Sequence, residues 1–340
     1  MNSFPLLFSL FRNHSEKETL LFGLFALIIL VFLILDLGLF NKDPKPISTR
    51  SAVIQSIFWV SVSCLFGLFI LLYDERGRET SLEYFSAYLT EYALSVDNIF
   101  VILLILKYFT VKEEYYHKVL FWGILGALVF RGVFIFVGAI LVAQFHWILY
   151  LFGAFLIYSG IKIFVSDGND SIDPGNNSIL RLCRKYLPLV DSDSGGRFWI
   201  RRSGKLFLTP LFVVVILIES TDLLFAVDSI PAAFAITENE FVIYTSNIFA
   251  VLGLRAMFFM LAGIIDRFYL LQKGLSIILF FIGAKMLLDL GKGYLPDAIV
   301  HLDPAISFGV IFLTLILSVV FSILIPEARE AKESSEESDK

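Results

Sequence analysis

The chain has 340 residues, of which 57% are hydrophobic and only 17% charged, with a mean hydropathy of +0.80 and a net charge of −5. Soluble domains are nearer half apolar and a quarter charged. This composition therefore excludes disordered, collagen-like and disulfide-framework proteins and argues against a soluble enzyme. The negative net charge gives no reason to expect nucleic acid as a partner. Cys64 and Cys183 lie far apart in the chain and form no thiol motif.

About nine apolar stretches are long enough to cross a bilayer as helices, which takes roughly 20 residues each. They are too long and too continuous for the strands of a barrel, and lipid permits no other spanning structure. The sequence therefore predicts an all-α polytopic membrane protein in contact with the lipid bilayer. The predicted spans are 19–40, 52–73, 82–106, 118–143, 147–165, 206–236, 240–264, 270–290 and 305–325.

The basic residues predict the orientation of these spans. Most of the 27 Lys and Arg residues fall in loops on one side of the predicted membrane. That side is the cytoplasm by the positive-inside rule, which places the N-terminus outside and the C-terminus inside. An odd number of spans requires the same arrangement.

The spans and loops divide the chain into six segments. The polar connection between the fifth and sixth spans is rich in turn residues, and its basic cluster assigns it to the cytoplasm. The polar end of the chain is low in complexity, and we expect it to be disordered. The segments are 1–81 with two N-terminal spans, 82–165 with three, 166–205 as the cytoplasmic loop, 206–290 with three more, 291–326 with the last, and 327–340 as the tail.

A set of charged residues occurs twice in the same order. The first copy holds Glu91, Val96-Asp97-Asn98-Ile99, Arg131 and Lys162, and the second holds Asp222, Val227-Asp228-Ser229-Ile230, Arg255 and Lys285. Each copy covers three spans, so the second must lie inverted relative to the first. Inverted repeats are typical of transporters, whose substrate site lies near the midplane at the repeat interface. The fold prediction is therefore about nine transmembrane helices with two inverted three-helix repeats.

The buried charges predict the chemistry of that site. A charged side chain at the bilayer centre costs about 2.5–3.5 kcal/mol on insertion scales, so its retention points to function, with structural ion pairing as the alternative. The candidate ligands offer only oxygen, which suits Mg, Ca or Mn rather than Zn or Cu, and Mn²⁺ is the leading candidate. We expect Arg131 and Arg255 to pair with the acids. The candidate metal ligands are Asp97, Asp228, Asp222, Glu91, Asn98 and Glu219.

Helix geometry restricts which of these side chains can share an ion. Glu91 and Asp97 differ by six positions and cannot face the same way on an unbroken helix, and the same holds for Asp222 and Asp228. Pro231 removes one backbone donor and frees the carbonyl of Val227. We therefore predict a helix break near Asp228–Pro231.

The two motifs resemble the paired signature of the TerC/Alx-type integral membrane proteins. The matching residues are Glu91…Ser95-Val96-Asp97-Asn98 and Glu219-Ser-Thr-Asp222…Phe225-Ala-Val-Asp228-Ser229-Ile230-Pro231-Ala232. The resemblance covers about residues 20–325 and implies a bacterial inner-membrane protein of about nine helices, related to metal and amino-acid exporters. It further implies a link to manganese export, tellurium resistance and, in one branch, redox modulation. Asp97, Asn98, Asp222 and Asp228 are motif positions by this resemblance.

The predicted function is secondary transport, not catalysis. We expect export of a divalent cation, Mn²⁺ first, coupled to protons or another ion, with no catalytic residue and no cofactor. One alternative is a membrane scaffold or a tellurite- or alkali-stress protein that acts through partners, whose identity the sequence does not give. Another is an intramembrane redox or proteolytic enzyme, which the absence of a thiol motif and of a Gly-x-Gly-Asp context disfavours.

Overall fold

The computed structural model describes residues 49–165, 178–186, 188–189, 195–202, 205–262, 269–290 and 303–324, together with scattered positions between 23 and 31. The regular secondary structure of this part of the chain is helical, including a single 3-10 turn at Glu113–Tyr115, except for one two-stranded hairpin. In chain order the elements are α1 Thr49–Tyr73, α2 Gly77–Tyr108, α3 Tyr116–Gln144, α4 Ile148–Val165, α5 Ser178–Tyr186, β1 Trp199–Arg202, β2 Lys205–Leu208, α6 Pro210–Ile236, α7 Glu240–Leu261, α8 Tyr269–Leu290 and α9 Pro304–Leu324.

The helical prediction is confirmed for eight spans. All of these helices except the short α5 are long and apolar enough to cross a membrane. Of the first predicted span, 19–40, the structure describes only a few residues, which are helical. Among them Phe25 packs against Phe66 of α1 and Phe249 of α7, with ring centroids 5.9 and 5.7 Å apart. The predicted tail, 327–340, lies outside the described residues.

Two helices form the centre of the bundle. α7 is buried along most of its length and α2 over most of its apolar part, whereas α1, α3, α4 and α9 expose large apolar side chains that lipid can cover. α2 and α3 each pack against both α6 and α7. α4 packs against α8 and α6, and α8 also contacts α2. Three of the charged motif residues, Glu91, Arg131 and Asp222, meet where α2, α3, α6 and α7 come together.

Glycines allow two of these helix pairs to approach closely. Gly153 of α4 and Gly283 of α8 face each other so tightly that a methyl group added to Gly283 would lie 2.8 Å from the Gly153 carbonyl oxygen. Gly126 of α3 lies against the carboxyl group of Glu219 of α6, where a β-carbon would overlap that carboxyl group. Small residues at such crossings are how membrane helices gain packing contacts without a hydrophobic driving force.

The predicted break near Pro231 is wrong. α6 runs as one helix from Pro210 to Ile236, with Pro231 inside it. The residues around it, Ile230 to Ala233, are buried against neighbouring helices. Neighbouring helices can hold a proline-containing turn in place, and a single missing backbone bond is tolerated when packing supplies the difference.

The polar connection contains more structure than its turn residues predict. Gly195 and Gly196 adopt positive φ angles of 62° and 72°, as expected for turn glycines. The antiparallel hairpin of β1 and β2 follows them, and β2 ends just before α6. α5 lies before this hairpin. Neither α5 nor the hairpin was predicted.

Candidate functional site

Arg131 of α3 is the centre of a buried network between the two predicted repeats. Its guanidinium pairs with Glu91 of α2 through Nη1. It meets the carboxylate of Asp222 of α6 side-on, with Nη2 3.1 Å from Oδ1 and Nε 3.4 Å from Oδ2. Side-on pairing of this kind fixes both partners in one plane. One arginine thus connects an acid from each half of the chain.

Two asparagines complete the network. Asn247 of α7 accepts a 2.7 Å hydrogen bond from Arg131 Nη1 and donates one of 3.3 Å to Oε2 of Glu91. Asn98 of α2 donates a 3.2 Å hydrogen bond to Oδ1 of Asp222. Each acid therefore contacts the arginine and one amide, and the four side chains around Arg131 come from α2, α6 and α7.

The network is almost fully removed from solvent and lipid. Arg131 is 1% exposed, Glu91 3% and Asp222 9%. Burying ions this deeply is tolerable only when they are paired and their remaining hydrogen-bonding positions are filled. Substituting one member of the network would therefore lower the free energy of unfolding much more than substituting one member of an exposed ion pair.

Several oxygens beside the network lack a hydrogen bond within the described part of the chain. They are Oγ of Ser95, Oδ1 of Asn98 and both carboxyl oxygens of Glu219. Ser95 and Asn98 lie three positions apart on α2, and Glu219 lies three positions before Asp222 on α6, so each pair shares a helix face. Buried oxygens without partners are unusual in proteins. Among the described residues, this region therefore contains buried oxygen atoms without a hydrogen-bond partner, which are available as metal ligands.

Asp97 lies next to Asn98 but points elsewhere. It is partly buried, and no hydrogen bond or ion pair engages it among the described residues. Successive residues of a helix differ by about 100° in direction. Asp97 is therefore near the Arg131 network along the chain without being part of it.

Asp228 has a separate partner on α4. Oγ of Ser159 donates a 2.9 Å hydrogen bond to Oδ1 of Asp228. Asp228 lies six residues beyond Asp222, which is about 9 Å along the helix axis. The structure thus places Glu91, Asn98 and Asp222 in the Arg131 network and Asp228 at a second contact with α4. Of the described residues, Asp97 and Glu219 belong to neither.

The described residues contain no group of three His, Cys, Asp or Glu side chains placed to hold a metal ion. Within the network, Arg131 lies between Glu91 and Asp222, so these two acids pair with the guanidinium. The other predicted arginine, Arg255, is 7% exposed on α7, two turns beyond Asn247. The shared coordination of one ion by Asp97 and Asp228 stays a prediction, as does the pairing of Arg255 with an acid.

Sequence reasoning missed Asn247 and Ser159. Both are uncharged, and hydropathy does not distinguish a buried amide or hydroxyl that serves a site from one that bonds its own helix. Asn247 is nevertheless an amide in the apolar middle of a span, two helical turns before Arg255, and that position is the signal that could have identified it.

Comparison with known proteins agrees with the all-helical membrane fold. The family described as "Integral membrane protein TerC family" matches residues 76–330. A Photorhabdus laumondii protein named "Putative membrane-bound redox modulator Alx" is 44% identical over 282 residues, covering 81% of this chain and 88% of its own. The Escherichia coli K12 protein of the same name is 40% identical over 310 residues, covering 89% and 94%.

A Myxococcus xanthus protein named "Uncharacterized membrane protein STKORF319" is 39% identical over 317 residues, covering 93% of this chain and 95% of its own. No solved structure matches the chain. The match of the family over most of the chain and the long alignments to bacterial membrane proteins lead to one conclusion. The chain is a multi-pass membrane protein and belongs to the TerC family.

Proposed function

We propose that this protein is a secondary transporter that exports a divalent metal cation, with Mn²⁺ as the leading candidate. The observation that carries the proposal is the buried network in which the single guanidinium of Arg131 pairs with both Glu91 and Asp222, from different halves of the chain. A purely structural core seldom buries three charges inside a membrane bundle, because apolar residues of similar size would be at least as stable there.

In this proposal the guanidinium of Arg131 pairs with the acids as long as no divalent cation is bound. In the state described, it holds both acids, and Asn98 and Asn247 position them. When a divalent ion arrives, Arg131 is displaced and the freed carboxylates join the unpartnered oxygens of Ser95, Asn98 and Glu219. All of these are hard oxygen donors, which fit Mn²⁺, Mg²⁺ or Ca²⁺ better than Zn²⁺ or Cu²⁺.

Most of the helix contacts fit two related halves, and the α6–α8 contact, which among the described residues has no α2–α4 counterpart of similar extent, is the main exception. If α2 corresponds to α6, α3 to α7 and α4 to α8, the α2–α7 contact corresponds to α3–α6, and the α2–α8 contact to α4–α6. Three further contacts each join a helix to its own counterpart, and exchanging the halves leaves them unchanged: α2–α6, α3–α7 and α4–α8. A pseudo-two-fold axis would produce such pairs, and inverted repeats place their substrate at that axis. Alternating access would then come from one half rocking against the other.

Asp97 and Asp228 have a different role in this scheme. Both lie outside the Arg131 network, Asp97 on α2 and Asp228 on α6, at matching positions in the two motifs. We propose that each of them binds the cation before or after it reaches the Arg131 network, one on each side of that network. Asp228 is held by Ser159 until an ion passes.

The decisive experiment is flux in proteoliposomes. Purified protein is reconstituted with a pH gradient, and Mn²⁺ movement is followed with an internal fluorescent indicator, with Ca²⁺, Mg²⁺ and Zn²⁺ as competitors. Asp222→Asn should abolish flux, whereas Glu79→Gln should leave it unchanged, since Glu79 is an exposed acid in the first turn of α2. Absence of Mn²⁺ flux and of any competing cation flux in the folded protein would refute the proposal and leave the scaffold alternative.

A further inference from the structure

The hairpin of β1 and β2 is fixed to the end of the bundle. Nζ of Lys118 on α3 donates a 2.6 Å hydrogen bond to the carbonyl of Gly196 and lies 4.7 Å from the ring centre of Phe198. Oγ1 of Thr209 donates a 2.7 Å hydrogen bond to the carbonyl of Arg197. Phe198 is buried in a cluster with residues of α3 and α6. These contacts come from two spans, so the hairpin has a defined position relative to the membrane.

One face of the hairpin is both apolar and basic. The register pairs Trp199 with Leu208 and Arg201 with Leu206, and residues paired across antiparallel strands point to the same face. On this face Trp199 is 57% exposed and Leu206 52%, and Arg201 is exposed as well. We call these three residues the Trp199 face. Exposing a tryptophan and a leucine to water beside an arginine would be unfavourable, so the face is expected to have an occupant.

The chain connection limits how far this face can be from the lipid. β2 ends at Leu208, and α6 begins at Pro210 with a continuous apolar run. Leu206 is four residues before Pro210, so it lies at most about 14 Å from the start of the span. Trp199 is opposite Leu208 and is held about as close. The headgroup layers add roughly 5–8 Å on each side of the hydrocarbon core, so the Trp199 face lies at or just outside headgroup depth.

The surrounding charge indicates which headgroups would be bound. The segment 178–208 contains seven Lys and Arg residues but only two acids, Asp191 and Asp193. On α5, Leu182 and Tyr186 are exposed four positions apart, and Lys185 lies beside them with its Nζ 5.2 Å from the Tyr186 ring centre. Aromatic rings favour the membrane interface, and basic residues near it favour anionic lipids.

We propose that the Trp199 face binds the headgroups of anionic phospholipids in the adjoining leaflet. Trp199 and Leu206 would enter the upper part of the lipid layer, and Arg201 would pair with a headgroup phosphate. Lys205 serves as a matched comparison, because it is exposed and carries the same charge but pairs with Arg202 on the opposite face of the hairpin. This proposal does not depend on the transport proposal.

The test measures the fluorescence of Trp199, which brominated lipids quench when they lie beside it. The full-length variant Trp59→Phe, Trp122→Phe, Trp147→Phe retains Trp199 as the single tryptophan. It is reconstituted in vesicles of phosphatidylcholine and phosphatidylglycerol in which one lipid or the other is brominated near the top of its acyl chains. We expect phosphatidylglycerol to be enriched about fivefold around Trp199, judged by quenching at equal mole fraction, which corresponds to ~1 kcal/mol for one basic residue. A variant that keeps only Trp147 should show no such preference.

The charge variants decide the outcome. Arg201→Gln should remove the preference for phosphatidylglycerol, and Lys205→Gln should keep most of it. Equal quenching by the two lipids, or equal loss in both charge variants, would overturn the proposal. Quenching by neither lipid would also overturn it and would place the face in water, open to a protein partner. If the single-tryptophan chain does not fold, the same comparison is made on the thermal stability of the native chain in the two lipids, with the same charge variants.

Discussion

Arg131 and Asp222 meet side-on across the α3–α6 contact, with Nη2 and Nε of the guanidinium each directed at a different carboxylate oxygen. This pairing leaves Nη1 to engage Glu91 and Asn247 on the other side. The guanidinium thus spans the space between the two halves of the chain, and its removal would leave two acids unpaired in the core.

Replacing Arg131 should therefore destabilise the fold strongly. Arg131→Gln leaves Glu91 and Asp222 buried without a cation, and we expect a loss of ~3–5 kcal/mol. The measurement is thermal unfolding of the purified protein in detergent. Adding Glu91→Gln removes one of the stranded charges, so the double variant should recover part of the loss but none of the transport. A double variant less stable than Arg131→Gln alone would contradict this account of the network.

Asn247 should matter more than its neighbours on α7. Asn247→Ala removes one acceptor for Arg131 and one donor to Glu91, at an expected cost of ~1–3 kcal/mol in unfolding free energy. Thr245→Ala is the control, because its hydroxyl is buried but bonds only to carbonyls of its own helix. It should cost less than ~1 kcal/mol. Transport by the Asn247 variant should fall as well, and equal effects of the two substitutions would argue against a site role for Asn247.

Substituting Asp97 or Asp228 should reduce transport while leaving the stability of the fold nearly unchanged. Neither belongs to the Arg131 network, so Asp97→Asn and Asp228→Asn should leave thermal stability within about 1 kcal/mol of the parent, the loss associated with one neutral hydrogen bond. Mn²⁺ flux should nevertheless drop at least tenfold in each. Unchanged efflux and unchanged manganese tolerance of cells carrying either variant would remove both residues from the proposed path.

The α4–α8 crossing should be sensitive to a single methyl group. Gly283→Ala places a β-carbon 2.8 Å from the Gly153 carbonyl oxygen and 2.9 Å from Cβ of Leu156, and we expect a loss of ~1–3 kcal/mol. Gly132→Ala is the matched control, since nothing lies within 4 Å of a β-carbon there. That control should be neutral or slightly stabilising, because alanine favours helix. Thermal unfolding of the two variants side by side checks the difference.

The cysteines should be dispensable for transport. Cys64 is a free thiol, half-buried on α1. Cys64→Ser combined with Cys183→Ser should retain Mn²⁺ flux within about twofold of the parent. Loss of activity in a double variant of normal stability would favour the redox chemistry named in the relatives over cation transport.

The spans were predictable because membrane helices require long apolar runs. The stretch 118–143 corresponds to α3 at Tyr116–Gln144, and 52–73 to α1 at Thr49–Tyr73. The role of Glu91, Asn98, Arg131 and Asp222 as site residues stays a prediction. Their selection as buried polar residues was possible because charged and amide side chains are conspicuous in such a chain. Their grouping around one arginine was not predictable, because it depends on which faces of four helices meet.

Three features of the structure were not predicted from the sequence. Asn247 has no charge and no counterpart in the first predicted repeat, where Gly123 is the corresponding position. The hairpin has strands of only four residues, too short for alternation to stand out from a basic turn-rich loop. Pro231 predicts a break from local chemistry, but the packing of α6 against its neighbours overrides that tendency.

The glycine contact between α4 and α8 also restricts how these two helices can move. Backbone atoms in direct contact have no side chains between them whose rotamers could change, so sliding would require the helices to part. A second close approach lies two turns along α4, where a β-carbon on Gly160 would be 2.8 Å from the Ser276 carbonyl oxygen of α8. Two separate contact points fix the crossing angle as well as the position, so α4 and α8 are expected to move together as one rigid pair.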